Sequence, residues 1–268
     1  MADIRSTHID TGGAKDAALN YYRNRLVTVS TSGVVHLFST GEGQELWQPA
    51  CSWNIKGCSL CKVCWAHPSF GNVLAIASFN GSVTLWREQH RNGSSAWSLQ
   101  ATLTHTSQSI SDLQFAPPSL GLLFAAASKD GHVRLYKASR HGHDQAWQQD
   151  SGFIACQQGP CFCLSWQPDP QRAGVPLLAV GSADGAKVWA FREACGDWVS
   201  VVTVHKGAAP VTCVDWAPSM GRPQDLLAVS CDSCVTIYGL EGPADNLQVE
   251  QVAQLDHAAP VCQLNQCC

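Results

Sequence analysis

Three cysteines at even spacing, Cys58-x-x-Cys61-x-x-Cys64, and a second pair, Cys231-x-x-Cys234, are the residues of this sequence best suited to chemistry. Thiolates at such spacing hold zinc when they sit on a turn that lets both sulfurs converge and two further ligands complete a tetrahedron. His141-Gly142-His143-Asp144 offers ligands of the same kind. Sets of His, Ser and Asp also occur, as His105, Ser128 and Asp130 and again as His205, Ser230 and Asp232. Such a trio serves nucleophilic catalysis only if all three meet at one place. The chain contains no Gly-rich phosphate loop, no Gly-x-Ser-x-Gly and no His-Glu-x-x-His.

Whether any of these residues converge depends on the elements that carry them, and those elements repeat. Trp65-Ala66-His67-Pro68, Phe115-Ala116-Pro117-Pro118, Trp166-Gln167-Pro168 and Trp216-Ala217-Pro218 align, with their aromatic residues 50, 51 and 50 positions apart. A second aromatic column, Phe38, Trp86, Tyr136, Trp189 and Tyr238, follows in the same period. A period near fifty lies just above the 40–45 residues usual for WD repeats.

Each repeat reads as strands. An alternating run precedes the anchor, as in Val211-Thr212-Cys213-Val214-Asp215-Trp216. A short apolar run follows it, as in Leu74 to Ser78 and Leu226 to Ser230, of the kind that suits a strand covered on both faces. Next come the hairpin turns Asn80-Gly81, Asp130-Gly131, Asp184-Gly185 and, as a weaker copy, Asp232-Ser233. The second aromatic column closes the third strand, and Trp47, Trp97, Trp147 and Trp198 mark a fourth. Helical spacing of apolar residues is absent. The fold expected is all-β: one WD-repeat β-propeller domain over residues 1–268, open, with five complete blades at about 16–53, 59–103, 109–154, 161–204 and 211–255 and the start of a sixth at 260–268.

These elements weaken the chemical readings. Cys61 and Cys64 fall on one strand three residues apart and point to opposite faces. Cys64 shares its column with Gln114, Ser165 and Asp215, which preserve no site. Cys231 and Cys234 can face each other across a hairpin, but two ligands do not make a zinc site. The His141 to Asp144 stretch falls between the third and fourth strands, as a polar loop. The expected metal, cofactor and catalytic residues are therefore none. The repetition of His, Ser and Asp argues for structure: His105, Ser128, Asp130 and Tyr136, and then His205, Ser230, Asp232 and Tyr238, are expected as hydrogen-bond links within the blades.

Composition narrows the setting. Of 268 residues, 45% are hydrophobic and 14% charged, which suits a well-buried core. The net charge of −4 with scattered Lys and Arg leaves no basic footprint for nucleic acid. No secretory signal opens the chain, and no run approaches the roughly 18 apolar residues a membrane span needs. A cytosolic or nuclear protein is expected, with its fourteen cysteines reduced and the sequons at Asn80 and Asn92 unused.

The stretches CWAHPSFGNVLAIASFNGSVTLWRE (64–88), ISDLQFAPPSLGLLFAAASKDGHVRLYKAS (110–139), CLSWQPDPQRAGVPLLAVGSADGAKVWAF (163–191) and VDWAPSMGRPQDLLAVSCDSCVTIYGL (214–240) resemble the Seh nucleoporin family, homologues of the COPII coat propeller. The resemblance runs from about Asp16 to Val261. It implies a non-enzymatic scaffold subunit of the nuclear pore Y complex at the nuclear envelope, supporting nucleocytoplasmic transport. The family's propeller is open and is completed in trans by strands from an α-solenoid scaffold nucleoporin, beside other Y-complex nucleoporins. The family also serves a GATOR-type nutrient-signalling complex at the lysosomal or vacuolar surface in many eukaryotes. Neither direct nucleic-acid binding nor membrane insertion is implied. The Trp-Ala-His-Pro anchor is shared with the COPII-coat-type subunit of vesicle transport, which stands as the alternative. After Ala259-Pro260-Val261 the anchor and later strands of a sixth blade are missing, for which a splice form or an incorrect gene model is the expected cause.

Overall fold

The computed structural model describes residues 12–41, 46–91, 94–141, 144–207, 209–219, 221–259 and 261. The chain packs as two compact units, Met1–Ile110 and Ser111–Cys268. Among the described residues, five antiparallel four-stranded sheets follow one another in sequence, each with its strands in chain order across the sheet. They are WD propeller blades. Blade 1 comprises β1 (Ala14–Leu19), β2 (Arg25–Ser30), β3 (Val34–Ser39) and β4 (Gln48–Asn54). Blade 2 comprises β5 (Leu60–Trp65), β6 (Val73–Ser78), β7 (Ser82–Arg91) and β8 (Ser94–Thr104). Blade 3 is built from β9 (Ile110–Phe115), β10 (Leu123–Ser128), β11 (His132–His141) and β12 (Asp144–Ile154).

Blade 4 holds β13 (Cys161–Trp166), β14 (Leu177–Ser182), β15 (Gly185–Arg192) and β16 (Asp197–His205). Blade 5 holds β17 (Val211–Trp216), β18 (Asp225–Cys231), β19 (Cys234–Glu241) and β20 (Gln248–Asp256). One helical turn, α1 (Pro170–Ala173), opens on Asp169, whose carboxylate caps the Gln171 N–H. No helix among the described residues is long and apolar enough to cross a membrane. Residues 260 and 262–268, where the sixth blade was expected to begin, lie outside the described residues.

The second strands explain why the sheets stack. Every residue of β6, β10 and β14 is buried, because small and apolar side chains on both faces let neighbouring blades close in. In the first unit Val27, Val35, Leu37, Leu60, Val63 and Ile76 form one core from blades 1 and 2. In the second unit Phe153 stacks on Trp189 and Trp198, with ring centroids 4.2 and 5.7 Å away.

Turn chemistry sets the register. Gly131 has φ +81°, and a Cβ there would collide with the Cys156 carbonyl, so the Asp130-Gly131 turn has no room for another residue type. The corresponding turn of blade 5 lacks glycine, and Asp232 takes the positive φ of 55° instead. The third strands of blades 2 and 3 are longer than expected: β7 continues to Arg91 and β11 to His141. His141 and Asp144 pair, so these two residues of the expected loop are strand, while Gly142 and His143 lie outside the described residues. Backbone pairing there needs no apolar face, which is why a polar composition concealed it.

Candidate functional site

The expected blade links fall into different arrangements. In blade 3 the Ser128 hydroxyl donates to Asp130, whose carboxylate also receives the His132 N–H at 3.0 Å. Arg134 closes the group, donating to Ser128 Oγ at 3.0 Å and to Asp130 Oδ2 at 2.7 Å. Tyr136 stacks on Phe124 with centroids 5.0 Å apart, and burial pushes its phenol up to about 12. His105 follows the end of β8 and is exposed. Arg134, absent from the expected set, sits two residues before Tyr136 on the same face of β11, a spacing that could have marked it.

His205 Nδ1, at the end of β16 in blade 4, and the Tyr238 hydroxyl of blade 5 share a hydrogen bond of 2.9 Å. The Ser230 hydroxyl pairs with Thr212 Oγ1 at 2.9 Å, and the Asp232 carbonyl accepts from the Val261 N–H at 2.8 Å. The expected quartet thus divides into a His–Tyr pair between blades 4 and 5 and, within blade 5, a Ser–Thr pair and a turn residue. Blade 2 substitutes Asn80 as the acceptor for Ser78 and ties Trp86 Nε1 to Thr84 at 3.1 Å. These contacts join backbone turns to strand interiors, and in them Ser128 meets a guanidinium and a carboxylate rather than an imidazole base.

The thiols are occupied structurally. Cys61 donates to the Ile110 carbonyl at 3.2 Å, and burial pushes its thiol up to about 12. Cys58 precedes β5 and lies 3.9 Å from Asn80 Nδ2. Cys231 and Cys234 oppose each other at the closed end of the β18–β19 hairpin. Among the described residues, no group of three or more His, Cys, Asp or Glu could hold a metal ion. A cleft of about 150 Å³ between blades 4 and 5 is lined by Arg172, Trp216, Asp225 and Leu240, smaller than the pockets that hold drug-sized ligands. Arg172 spans its rim, 2.8 Å from Asp225.

A second, repeated set of polar contacts joins one blade to the next. Each uses an acceptor on an inner strand and main-chain N–H groups of the following inner strand. Asp16 Oδ2 receives the Val63 N–H at 2.9 Å. Asp112 Oδ2 receives that of Leu164 at 2.9 Å, and Gln114 Oε1 that of Trp166 at 2.8 Å. Ser165 Oγ receives that of Trp216 at 3.1 Å, while the Cys163 sulfur receives that of Val214. Anchor indoles add a further bond: Trp65 Nε1 donates to the Ala18 carbonyl at 3.0 Å and Trp166 Nε1 to that of Gln114 at 3.3 Å. The column through Cys64, Gln114, Ser165 and Asp215 looks unrelated by residue type. Two of its members, Gln114 and Ser165, nonetheless do the same work as acceptors for the next strand.

Burial differs at equivalent positions of the sheets. Phe153 on β12 and Val204 on β16 hold matching positions and are 8% and 7% exposed, each packed in a core that includes the following blade. Leu255 holds that position on β20 and is 54% exposed, as is Val252. On β1, Ala17 and Leu19 hold the positions of Val63 and Trp65. Ala17 is exposed and Leu19 is 48% exposed, whereas Val63, Leu164 and Val214 are buried. Large apolar residues are exposed on other fourth strands as well, Leu99 on β8, Ile154 on β12 and Val199 on β16.

Comparison with known proteins gives concordant findings. The WD domain, G-beta repeat, matches residues 97–137. Nucleoporin SEH1 of Xenopus tropicalis is 30% identical over 264 residues, covering 90% of this chain and 72% of the relative. Nucleoporin SEH1 of Homo sapiens gives the same figures, and that of Danio rerio is 30% identical with 71% of its length covered.

Proposed function

Because this chain belongs to the SEH1 family of nucleoporins, we propose that it is a non-enzymatic scaffold subunit of the nuclear pore Y complex, a single open propeller completed in trans by strands from an α-solenoid nucleoporin. The observation that carries this reading is the 30% identity to nucleoporins SEH1 over 90% of the chain, together with five four-stranded sheets that follow one another in sequence. A sheet edge with an apolar face in water recruits another strand: main-chain hydrogen bonds supply affinity and alternate side chains supply specificity. The residues within the blades are engaged in holding turns and neighbouring strands, so function falls to the surfaces between the chain and its partners. The location that follows is the nuclear envelope, at the pore, in support of nucleocytoplasmic transport. A GATOR-type complex at the lysosomal or vacuolar surface draws on the same surfaces; family resemblance alone supports that extension.

Co-expression with the α-solenoid nucleoporin of the same organism tests the proposal. A stable stoichiometric complex whose melting temperature exceeds that of the chain alone is expected, because a ligand that binds only the native state stabilises it. Recovery of coat subunits in place of nucleoporins, or no complex at micromolar concentrations, overturns it.

A further inference from the structure

We propose that Cys231 and Cys234 form a reversible thiol–disulfide exchange site at the closed end of the β18–β19 hairpin, oxidised by small disulfides of the glutathione class. The proposal goes beyond the scaffold role and does not depend on it. Placement follows from the hairpin. Asp232 and Ser233 make a two-residue turn, with Asp232 at φ 55°, and the register sets Cys231 directly opposite Cys234. Directly opposed residues share one face of a sheet, with Cα atoms about 4.5–5.5 Å apart, inside the about 4.4–6.8 Å that a disulfide bridges. Their usual Cβ separation of about 4.5–5.5 Å exceeds the mean of about 3.8 Å in a disulfide, so closing the bond draws the strand ends together. A bond formed against that resistance is of the reducible, exchanging kind rather than a permanent staple.

Both thiols are partly exposed, whereas Cys61, Cys156, Cys161 and Cys163 are buried. Cys231 donates to the Ala209 carbonyl at 3.6 Å, a weak contact that oxidation gives up at little cost. A chain of hydroxyls leads from Cys234 to an imidazole. Cys234 Sγ lies 3.7 Å from Thr236 Oγ1, two residues along the same face of β19. Thr236 hydrogen-bonds the Tyr238 hydroxyl, which lies 2.9 Å from His205 Nδ1. With Cys234 donating, each hydroxyl hands one bond onward, from S–H to Thr236, from Thr236 to Tyr238, and from Tyr238 to His205. Thr236 and Tyr238 are buried, which keeps water from competing for these bonds.

A thiolate, not a thiol, attacks a disulfide, and this relay draws the proton from Cys234. Burial and the Asp232 charge push the Cys231 thiol up, so Cys234 attacks first. Its sulfur bonds to one sulfur of glutathione disulfide, whose S–S bond breaks. One glutathione leaves with the proton that Cys234 gave up. Cys231 then attacks Cys234 Sγ, and the second glutathione leaves with the Cys231 proton. Two thiols are oxidised to one disulfide, and one glutathione disulfide is reduced to two glutathiones.

The test incubates the full, reduced chain with glutathione disulfide, traps free thiols by alkylation and maps the peptides by mass spectrometry. The peptide holding both cysteines is expected to lose two hydrogens and resist alkylation, and excess reduced glutathione is expected to restore both thiols. Cys231→Ser is expected to stop at a glutathione adduct on Cys234, because the resolving thiol is gone. Tyr238→Phe, with circular dichroism unchanged, is expected to slow formation of that adduct by about tenfold or more without moving the final redox equilibrium. A wild-type chain in which Cys234 stays reduced or stops at the adduct overturns the proposal. So does a disulfide that joins either residue to Cys262, Cys267 or Cys268 instead. An unchanged rate in Tyr238→Phe overturns the relay. Because no nucleoporin is present, none of these outcomes bears on the proposed scaffold role.

Discussion

Replacing Glu88 probes how the first unit is held together. Its carboxylate, with only 4% of the side chain exposed, receives Arg25 Nη1 at 2.7 Å, Asn72 Nδ2 at 2.6 Å and the Ser95 hydroxyl, joining blade 1 to blade 2. Hydrogen bonds to charged groups contribute about 1.5–3 kcal/mol each, against about 0.5–1.5 kcal/mol for neutral ones. Breaking a buried ion pair costs about 3–5 kcal/mol, and Arg25, 29% exposed, recovers part of that by rehydration. Glu88→Ala should therefore cost about 3 kcal/mol and Glu88→Gln, which keeps two neutral acceptor contacts, about 1 kcal/mol, both readable by urea titration. The pH dependence separates charge from packing. Burial raises the Glu88 pKa, but the hydrogen bonds from Ser95 and Arg25, the Arg25 charge and the Asn72 bond outweigh it and hold the group below the usual carboxylate range. A depressed folded-state pKa gives stability that is present above the unfolded value of about 4.3 and lost as pH falls through the folded value. The gap between wild type and Glu88→Gln should be full at pH 6 and shrink below about pH 4. A Glu88→Gln gap that is the same at pH 3.5 and pH 7 would refute the ion-pair reasoning.

Three further outcomes follow from the same contacts. Phe153→Ala should cost about 3–5 kcal/mol because the ring is buried and stacks on Trp189 and Trp198, whereas Leu255→Ala, at the matching but exposed position, should change stability by less than about 0.5 kcal/mol in the isolated chain. Gly131→Ala should cost about 2 kcal/mol or more in thermal unfolding, since the new methyl group meets the Cys156 carbonyl at a positive φ. Iodoacetamide at pH 8 should label exposed Cys195 in the native chain and spare Cys61, whose buried thiol titrates near 12; equal labelling would contradict that burial.

The blades were legible in the sequence because two aromatic columns and the Asn-Gly and Asp-Gly turns report strand period and turn geometry directly. The long β7–β8 and β11–β12 hairpins were not, since paired backbone tolerates polar residues such as His90 and Arg140 without an apolar face. The blade links were partly legible: Ser128 and Asp130 meet, and so do His205 and Tyr238, but Arg134 and Thr212 enter through strand alternation rather than through any motif. The junctions between blades were concealed for a different reason. Their acceptors are Asp, Gln, Ser and Cys at equivalent positions, so the shared property is the ability to receive an N–H and not the identity of the side chain. Apolar exposure at the first and fifth blades was expected from the missing sixth repeat, but the individual residues Leu19, Val252 and Leu255 were not legible, because an apolar residue in a strand looks the same whether or not a neighbour covers it.

Amide hydrogen exchange on the chain, alone and with excess α-solenoid nucleoporin, tests the scaffold role most directly. Partner strands added at the uncovered faces should slow exchange in β1, over residues 15–19, by at least tenfold, while the buried strands β6, β10 and β14 change little because they are already protected. Binding without any slowing in β1 or in the β17–β20 face, or slowing confined to the hairpin ends of blades 2 and 3, would contradict a chain that works by having its open faces completed.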